Sequence, residues 1–170
     1  MPSVASMFIS RWDSAADPLL PSALHGLLGL AMAQKTYSSH LQLLSDKRWQ
    51  ALAEAGTCPQ RPLWASTSTK NSDLPDNYYL GRLAAPSTID TVPEKTLLAF
   101  ADHGTLDDRL DPDYAAAEQS ISAVADAGVD ADALGERLQG IGAGAFSADW
   151  IALLTAIEEK AQKLRPEASE

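Results

Sequence analysis

Cysteine is nearly absent from this chain: Cys58 stands alone among 170 residues. A single thiol excludes an internal disulfide and any multi-cysteine metal centre. Cys58 precedes Pro59 in a loop-like stretch and reads as a spectator thiol. Histidine is also scarce, and His25, His40 and His103 lie too far apart to show metal-ligand spacing. No metal and no cofactor is expected. Long apolar runs are missing as well. The longest apolar-leaning stretch, Ala23 to Met32, is too short for a membrane span and contains His25. The first residues lack the basic and apolar regions of a signal peptide. These absences predict a cytoplasmic protein without a membrane partner. Basic residues are outnumbered, 13 against 23 acids, for a net charge of -10. Residues 1–85 hold seven bases and six acids, and residues 86–170 hold six bases and 17 acids, so the halves carry +1 and -11. Such a field repels nucleic acid. A small anion is still admissible in the near-neutral first half.

What is present is enough apolar residue, 45%, for one core in a chain of this length. The most informative stretch is Arg61 to Asn71. Pro62 can open a strand, because its missing N–H then falls outside the ladder. Leu63, Trp64 and Ala65 form an unbroken apolar run, as a strand covered on both faces requires. Ser66 to Lys70 follow, four hydroxyls and an ammonium where the strand would leave its sheet. In α/β folds ligands gather at the carboxyl ends of strands. This group suits a phosphate or a polyhydroxylated ligand; a Ser/Thr turn with a solvated lysine accounts for it equally well.

The same logic applies at the start. Ser3 to Ile9 reads as a strand, and Ser10-Arg11-Trp12-Asp13 supply polar groups after it. A strand entering so early has few residues before it with which to pair, so a preceding segment is expected. Ser22 can cap a helix over Ala23 to Leu44, and Ser45 a short second helix ending at Gly56. Asn77 to Leu83 reads as one or two helical turns. Residues 87–92 read as a short third strand, and a helix follows from Pro93 to His103-Gly104. Strand–helix alternation implies parallel strands. Residues 105–112 read as a polar linker. Residues 113–127, 131–138 and 148–164 read as three helices punctuated by glycine, with Asp130 and Ser147 as caps. Residues 166–170 are expected to fray. Three parallel strands alone leave open edges, but three βα units are a reasonable last portion of an eight-unit barrel.

Three ordered stretches carry a resemblance: Ser3 to Asp13, Arg61 to Asn71, and Asp90-Thr91-Val92-Pro93-Glu94-Lys95-Thr96-Leu97. Smaller echoes occur at Ala31 to Tyr37, Arg48-Trp49, Asp76 to Tyr79 and Ala101 to Gly104. Together they resemble the C-terminal half of a transaldolase of the long bacterial type, strongly through Gly104 and in pattern only beyond it. The resemblance implies a partial (β/α)₈ barrel, entered at strand six, with strands six to eight at residues 3–9, 62–66 and 87–91. It implies transfer of a dihydroxyacetone unit between sugar phosphates through a lysine Schiff base. Arg11 and Lys70 match substrate-phosphate cations, Ser6 and Ser66 line the substrate pocket, and Asn71 falls in the same place. Two cations from adjacent strand ends can converge on one phosphate, the arginine as a planar fork. An Arg11–Asp13 surface pair is the competing account.

The resemblance also implies what is missing. The family's Schiff-base lysine lies on strand four and its proton-handling acids on strands one and three, all before this chain. Moving the nucleophile to Lys70 would require a desolvated, depressed pKa, which its hydroxyl neighbours do not favour. The expected protein is therefore a transaldolase-like half, inactive without an N-terminal half. The alternative is a non-catalytic half barrel that binds a sugar phosphate or a protein partner, or assembles with itself.

Overall fold

A computed structural model describes residues 2–106, 109–111 and 113–164. They divide into two compact units parted at Ala131. The first holds a three-stranded parallel sheet in the order β1 (Ser3–Phe8), β2 (Gln60–Ala65), β3 (Ile89–Asp90). Ser3 faces Gln60 and Phe8 faces Ala65 along the β1–β2 ladder, while β3 pairs with β2 only at Leu63 and Trp64. Strands are thus parallel and sequential, as the alternation predicted. Pro62 does not open β2; the strand begins two residues earlier, and Pro62 faces Ala5. Trp64 gives its carbonyl to Thr91 N–H at 2.9 Å. Alternation points Pro62 to that same side, before the paired stretch of β3 begins, so its missing donor breaks no ladder bond.

Helix α1 (Ile9–Ala16) follows β1 without a loop. The expected strand to Ile9 stops at Phe8, and Ser10 to Asp13 are helical rather than a polar loop. Ile9, Asp13 and Ala16, at helical spacing, turn inward. Helix α2 (Leu27–Ser45) begins four residues later than the sequence predicts. Ser22 opens a short 3₁₀ turn instead of capping it, and the N-cap is Gly26 at φ 74°, a left-handed conformation that favours glycine. Helix α3 (Lys47–Glu54) is capped by Asp46, not Ser45; the Asp46 carboxylate accepts from Arg48 N–H at 2.8 Å. Helix α4 (Tyr78–Arg82) lies between β2 and β3, and α5 (Glu94–His103) follows β3. The third strand is shorter than expected because Ser87, at φ 61°, turns the chain just before it.

The core packs α2 and α4 against the helix-facing side of the sheet. Trp64, Ile9, Ala33, Tyr37, Tyr79 and Leu83 form its centre. Leu110 joins this cluster, and its N–H donates to Ala84 O at 3.2 Å, so part of the expected linker is tied down. Asp107, Asp108 and Pro112 of that linker, with the expected fraying tail at 166–170, lie outside the described residues. Helix α6 (Ala115–Asp126) packs on α2, burying Ala117 and Val124.

Helix α7 (Ala131–Lys163) makes up nearly all the described residues of the second unit, one helix where two were expected. Each interior glycine costs about 1 kcal/mol relative to alanine, but no proline interrupts residues 131–163. Ser147 is not a cap: it sits mid-helix, its hydroxyl donating to Ala143 O at 3.0 Å. By length and composition α7 could cross a membrane. This corrects the expectation that Ala23 to Met32 is the longest apolar-leaning stretch and that nothing resembles a span.

One glycine is fixed by close approach. A Cβ on Gly29 would lie 2.5 Å from Asp13 Oδ2 and 2.8 Å from the Ile9 carbonyl. Gly29→Ala is therefore expected to pry α1 from α2 and cost about 2–4 kcal/mol, as strained overpacking does. Urea denaturation of the variant checks it.

Candidate functional site

Parallel strands send their carboxyl ends to one side of a sheet, and here that side collects the polar groups. Phe8 and Ala65 are register partners at the last rungs of β1 and β2. Beyond them the two chains are stitched together. Ser10 N–H donates to Ser66 O at 3.0 Å, and the two hydroxyl oxygens lie 2.8 Å apart. Ser66 takes φ 57°, the left-handed region, which swings the chain out of the strand and into the Thr67–Asn71 loop. Ser10, 2% exposed, was not singled out from the sequence; its signal was only its place at the end of a strand.

Arg11 stands on the first turn of α1, its guanidinium carbon 4.4 Å from the centre of the Phe8 ring. This stacking accounts for its position without the Asp13 pairing considered above. Asp13 faces elsewhere, accepting from Gly29 N–H at 2.8 Å and from Tyr79 O–H at 2.7 Å. Lys70 is exposed, its Nζ donating to Ser68 Oγ at 2.7 Å. Asn71 closes an Asx turn, its Oδ1 accepting from Asp73 N–H at 2.9 Å. Ser6 is exposed on β1 opposite Leu63, on the face away from Trp64. Side chains alternate along a strand, so Met7 and Trp64 turn to the helices while Ser6 and Leu63 share the other face.

Lys70 and Asn71 line one cavity of about 400 Å³. Its wall is completed from α1 by Asp13 and Ser14, from the following turns by Asp17 and His25, and from the loop and α4 by Asp73 and Tyr79. Arg11 and Ser66 are not in this lining, so the cavity gathers only part of the residues expected to share a site. Three carboxylates around Lys70 were not anticipated. They come from tertiary packing, which the local sequence does not announce.

The electrostatics of this wall follow from burial. Desolvation pushes the Asp13 carboxyl up to about 6, against the opposing pull of the Gly29 and Tyr79 hydrogen bonds. Tyr79 is raised above the ordinary tyrosine range by burial and by the neighbouring Asp13 charge, so it stays a hydrogen-bond donor. Asp17 Oδ1 accepts from Gly26 N–H at 3.0 Å. Two aspartates from one side therefore satisfy the opening N–H groups of α2, which has no side-chain cap of its own. On β3, burial raises Asp90 to about 6 while the nearby Thr67 hydroxyl tempers the shift. Both Asp90 oxygens are buried without a hydrogen-bond partner among the described residues. His103, at the end of α5, is held between Asp76 at 2.9 Å and Asp102 at 3.2 Å, and these carboxylates raise its pKa.

Sequential parallel strands with helices between them define an α/β protein, and hydroxyls, an amide and two cations lie past the carboxyl ends of its strands, where ligands gather in such folds. Comparison with known proteins gives that class a family. The model described as Transaldolase/Fructose-6-phosphate aldolase matches residues 1–157. A transaldolase of Frankia alni is 43% identical over 166 residues, covering 93% of this chain and 45% of the relative. Transaldolases of a Parafrankia species and of Thermobifida fusca are 42% and 41% identical over the same length and coverage. The chain belongs to the transaldolase/fructose-6-phosphate aldolase family. It spans about half the length of the curated relatives it matches, corresponding to their C-terminal half.

Proposed function

We propose that this chain is the phosphate-binding part of a transaldolase-type (β/α)₈ barrel. It serves transfer of a dihydroxyacetone unit between sugar phosphates when the earlier strands are present. The observation that carries this reading is the placement of Arg11 and Lys70 just past Phe8 and Ala65, the register-paired ends of neighbouring strands. A phosphate between them would receive the Arg11 fork from one strand end and the Lys70 ammonium, turned from Ser68, from the other. Ser66, Ser6 and Asn71 complete the lining around the sugar.

Two features explain why the rest of the barrel is needed. Among the described residues, the outer edge of β1 has no neighbouring strand and β3 is paired on one side only. The sheet face bearing Val4, Ser6 and Leu63 lies away from the helices, and Val4 is 42% exposed. Unpaired edges and a half-covered sheet face are what a barrel closes. In this reading the Schiff-base lysine comes from the segment that supplies the missing strands. The same open edges give the second reading its basis, a half barrel that associates with itself or a partner and holds a sugar phosphate without chemistry.

The test is binding of fructose 6-phosphate to the chain and to its Arg11→Gln and Lys70→Gln variants. Loss of a charge-assisted hydrogen bond is worth roughly 1.5–3 kcal/mol, so each variant is expected to weaken binding about ten-fold or more. A double variant that binds as well as the parent would sink the assignment.

A further inference from the structure

His103 is placed to serve two carboxylates at once. It closes α5, with its Nε2 2.9 Å from Asp76 Oδ1 and its Nδ1 3.2 Å from Asp102 Oδ2. A neutral imidazole carries one N–H and one lone pair, so it can donate to one of them only. Its other nitrogen would turn a lone pair on a carboxylate. Both contacts are favourable together in the imidazolium, which also suits the negative end of a helix. Arg82 of α4 lines the same small hollow. Its guanidinium is turned to Tyr78, donating to that carbonyl at 3.0 Å and stacking on the ring at 4.5 Å.

The two acids differ in what they are attached to. Asp102 shares α5 with His103, so that contact is local. Asp76 belongs to the loop between β2 and α4, and its neighbour Pro75 gathers that loop. The Pro75 carbonyl accepts from Thr69 Oγ1 at 2.8 Å and from Tyr78 N–H at 3.0 Å. Thr69 adjoins Lys70. One path therefore runs from the His103 ring through Asp76, Pro75 and Thr69 to the backbone of Lys70. The two carboxylates hold the His103 pKa above its usual 6.5. The imidazolium is thus complete below 6.5 and is lost as pH rises through the raised value.

We propose that His103 is a pH-sensitive latch on the loop that carries Lys70, holding Asp76 while it is an imidazolium and easing that hold when it gives its proton to water. Whichever nitrogen keeps the remaining proton, the ion pair to Asp76 is gone. Acid therefore fixes the Thr69–Lys70 backbone, and mild alkali loosens it. The consequence for ligands, a firmer grip on an anion at the acid end, rests on the phosphate reading above. The latch itself does not.

The experiment is an NMR titration of the ¹⁵N-labelled full chain from about pH 5.5 to 8.5, which spans the histidine range. The Thr69 and Asp76 amide signals are expected to move with the midpoint of the His103 ring. Asp13 and His25 line the cavity beside Lys70 and are titratable too, so the comparison is with Asp76→Asn, which leaves both in place. In Asp76→Asn the His103 midpoint should fall, and the part of the Thr69 movement that follows it should vanish. At about pH 6 the same variant should lower the exchange protection of Tyr78 N–H roughly two- to five-fold, the worth of an exposed ion pair. His103→Arg, whose charge does not titrate, should hold Thr69 in its acid position throughout. A Thr69 signal that ignores the His103 midpoint, or follows it equally in Asp76→Asn, overturns the latch. A loop that answers to His103, while the Arg11→Gln/Lys70→Gln double variant binds fructose 6-phosphate as well as the parent, supports the latch and counts against the phosphate reading alone.

Discussion

Trp64→Ala is expected to lower the unfolding free energy by about 4 kcal/mol, the usual cost of deleting a large buried aromatic. Trp64 is fully buried at the centre of the core, between Ile9, Tyr37 and Leu83. Its indole N–H also donates to the Leu83 carbonyl at 3.1 Å, tying β2 to the end of α4. Domains of this size hold only about 5–15 kcal/mol in total, so the variant should be largely unfolded in mild denaturant. Trp64→Phe separates the two contributions. It keeps most of the packing and gives up the hydrogen bond, for a loss of roughly 1–2 kcal/mol beyond the small change in volume. Denaturation followed by circular dichroism reads both. Equal losses for the two variants would mean that the bond to Leu83, not the packing, dominates.

Asp13 gives the second large effect, and its size depends on pH. Asp13→Ala strands the Gly29 N–H and the buried Tyr79 hydroxyl, at about 2–5 kcal/mol for two unpaired groups. Asp13→Asn keeps an acceptor for Gly29 and is expected to cost much less. The folded pKa of Asp13, about 6, lies above the ordinary value of 3.8. The folded state therefore binds the proton more tightly than the unfolded chain does. The stability that this proton contributes is fully present below about pH 4 and is lost as pH rises to about 6, by roughly 3 kcal/mol at most. Removing the carboxyl in Asp13→Asn should flatten this part of the stability profile. Asp90, also raised to about 6, keeps its own share in the variant. A profile between pH 4 and 7 as steep in Asp13→Asn as in the parent would contradict the assignment.

The strands were legible because their signals are local. Leu63-Trp64-Ala65 is an apolar run between Pro62 and Ser66, and it lies in the inner strand of the sheet. The loop that follows it, Ser66 to Lys70, was picked out by its polar groups at a strand end, whereas Arg11 and Asn71 became site candidates through the family resemblance. Helix α1 was missed because three polar residues, Ser10, Arg11 and Asp13, interrupted only by Trp12, resemble a strand-end loop. Its true signal was the inward spacing of Ile9, Asp13 and Ala16. The start of α2 was misplaced because a serine outranks a glycine as an expected cap. Here the capping acceptors come from Asp13 and Asp17, nine or more residues upstream. The continuity of α7 was obscured by Gly140, Gly142 and Gly144, whose helix penalty is finite and not absolute. The acid wall of the Lys70 cavity has no local signature at all, since Asp13, Asp17 and Asp73 meet only when α1, α2 and the loop after β2 are packed.

The most direct test of the central claim is borohydride trapping with fructose 6-phosphate, read by intact-protein mass spectrometry and peptide mapping. The account predicts no covalent adduct on the chain alone. It predicts an adduct when an N-terminal transaldolase segment carrying the first five strands is supplied, and places it on that segment. An adduct on Lys70 of the isolated chain would contradict the account, because it would make Lys70 the Schiff-base nucleophile in place of a phosphate ligand.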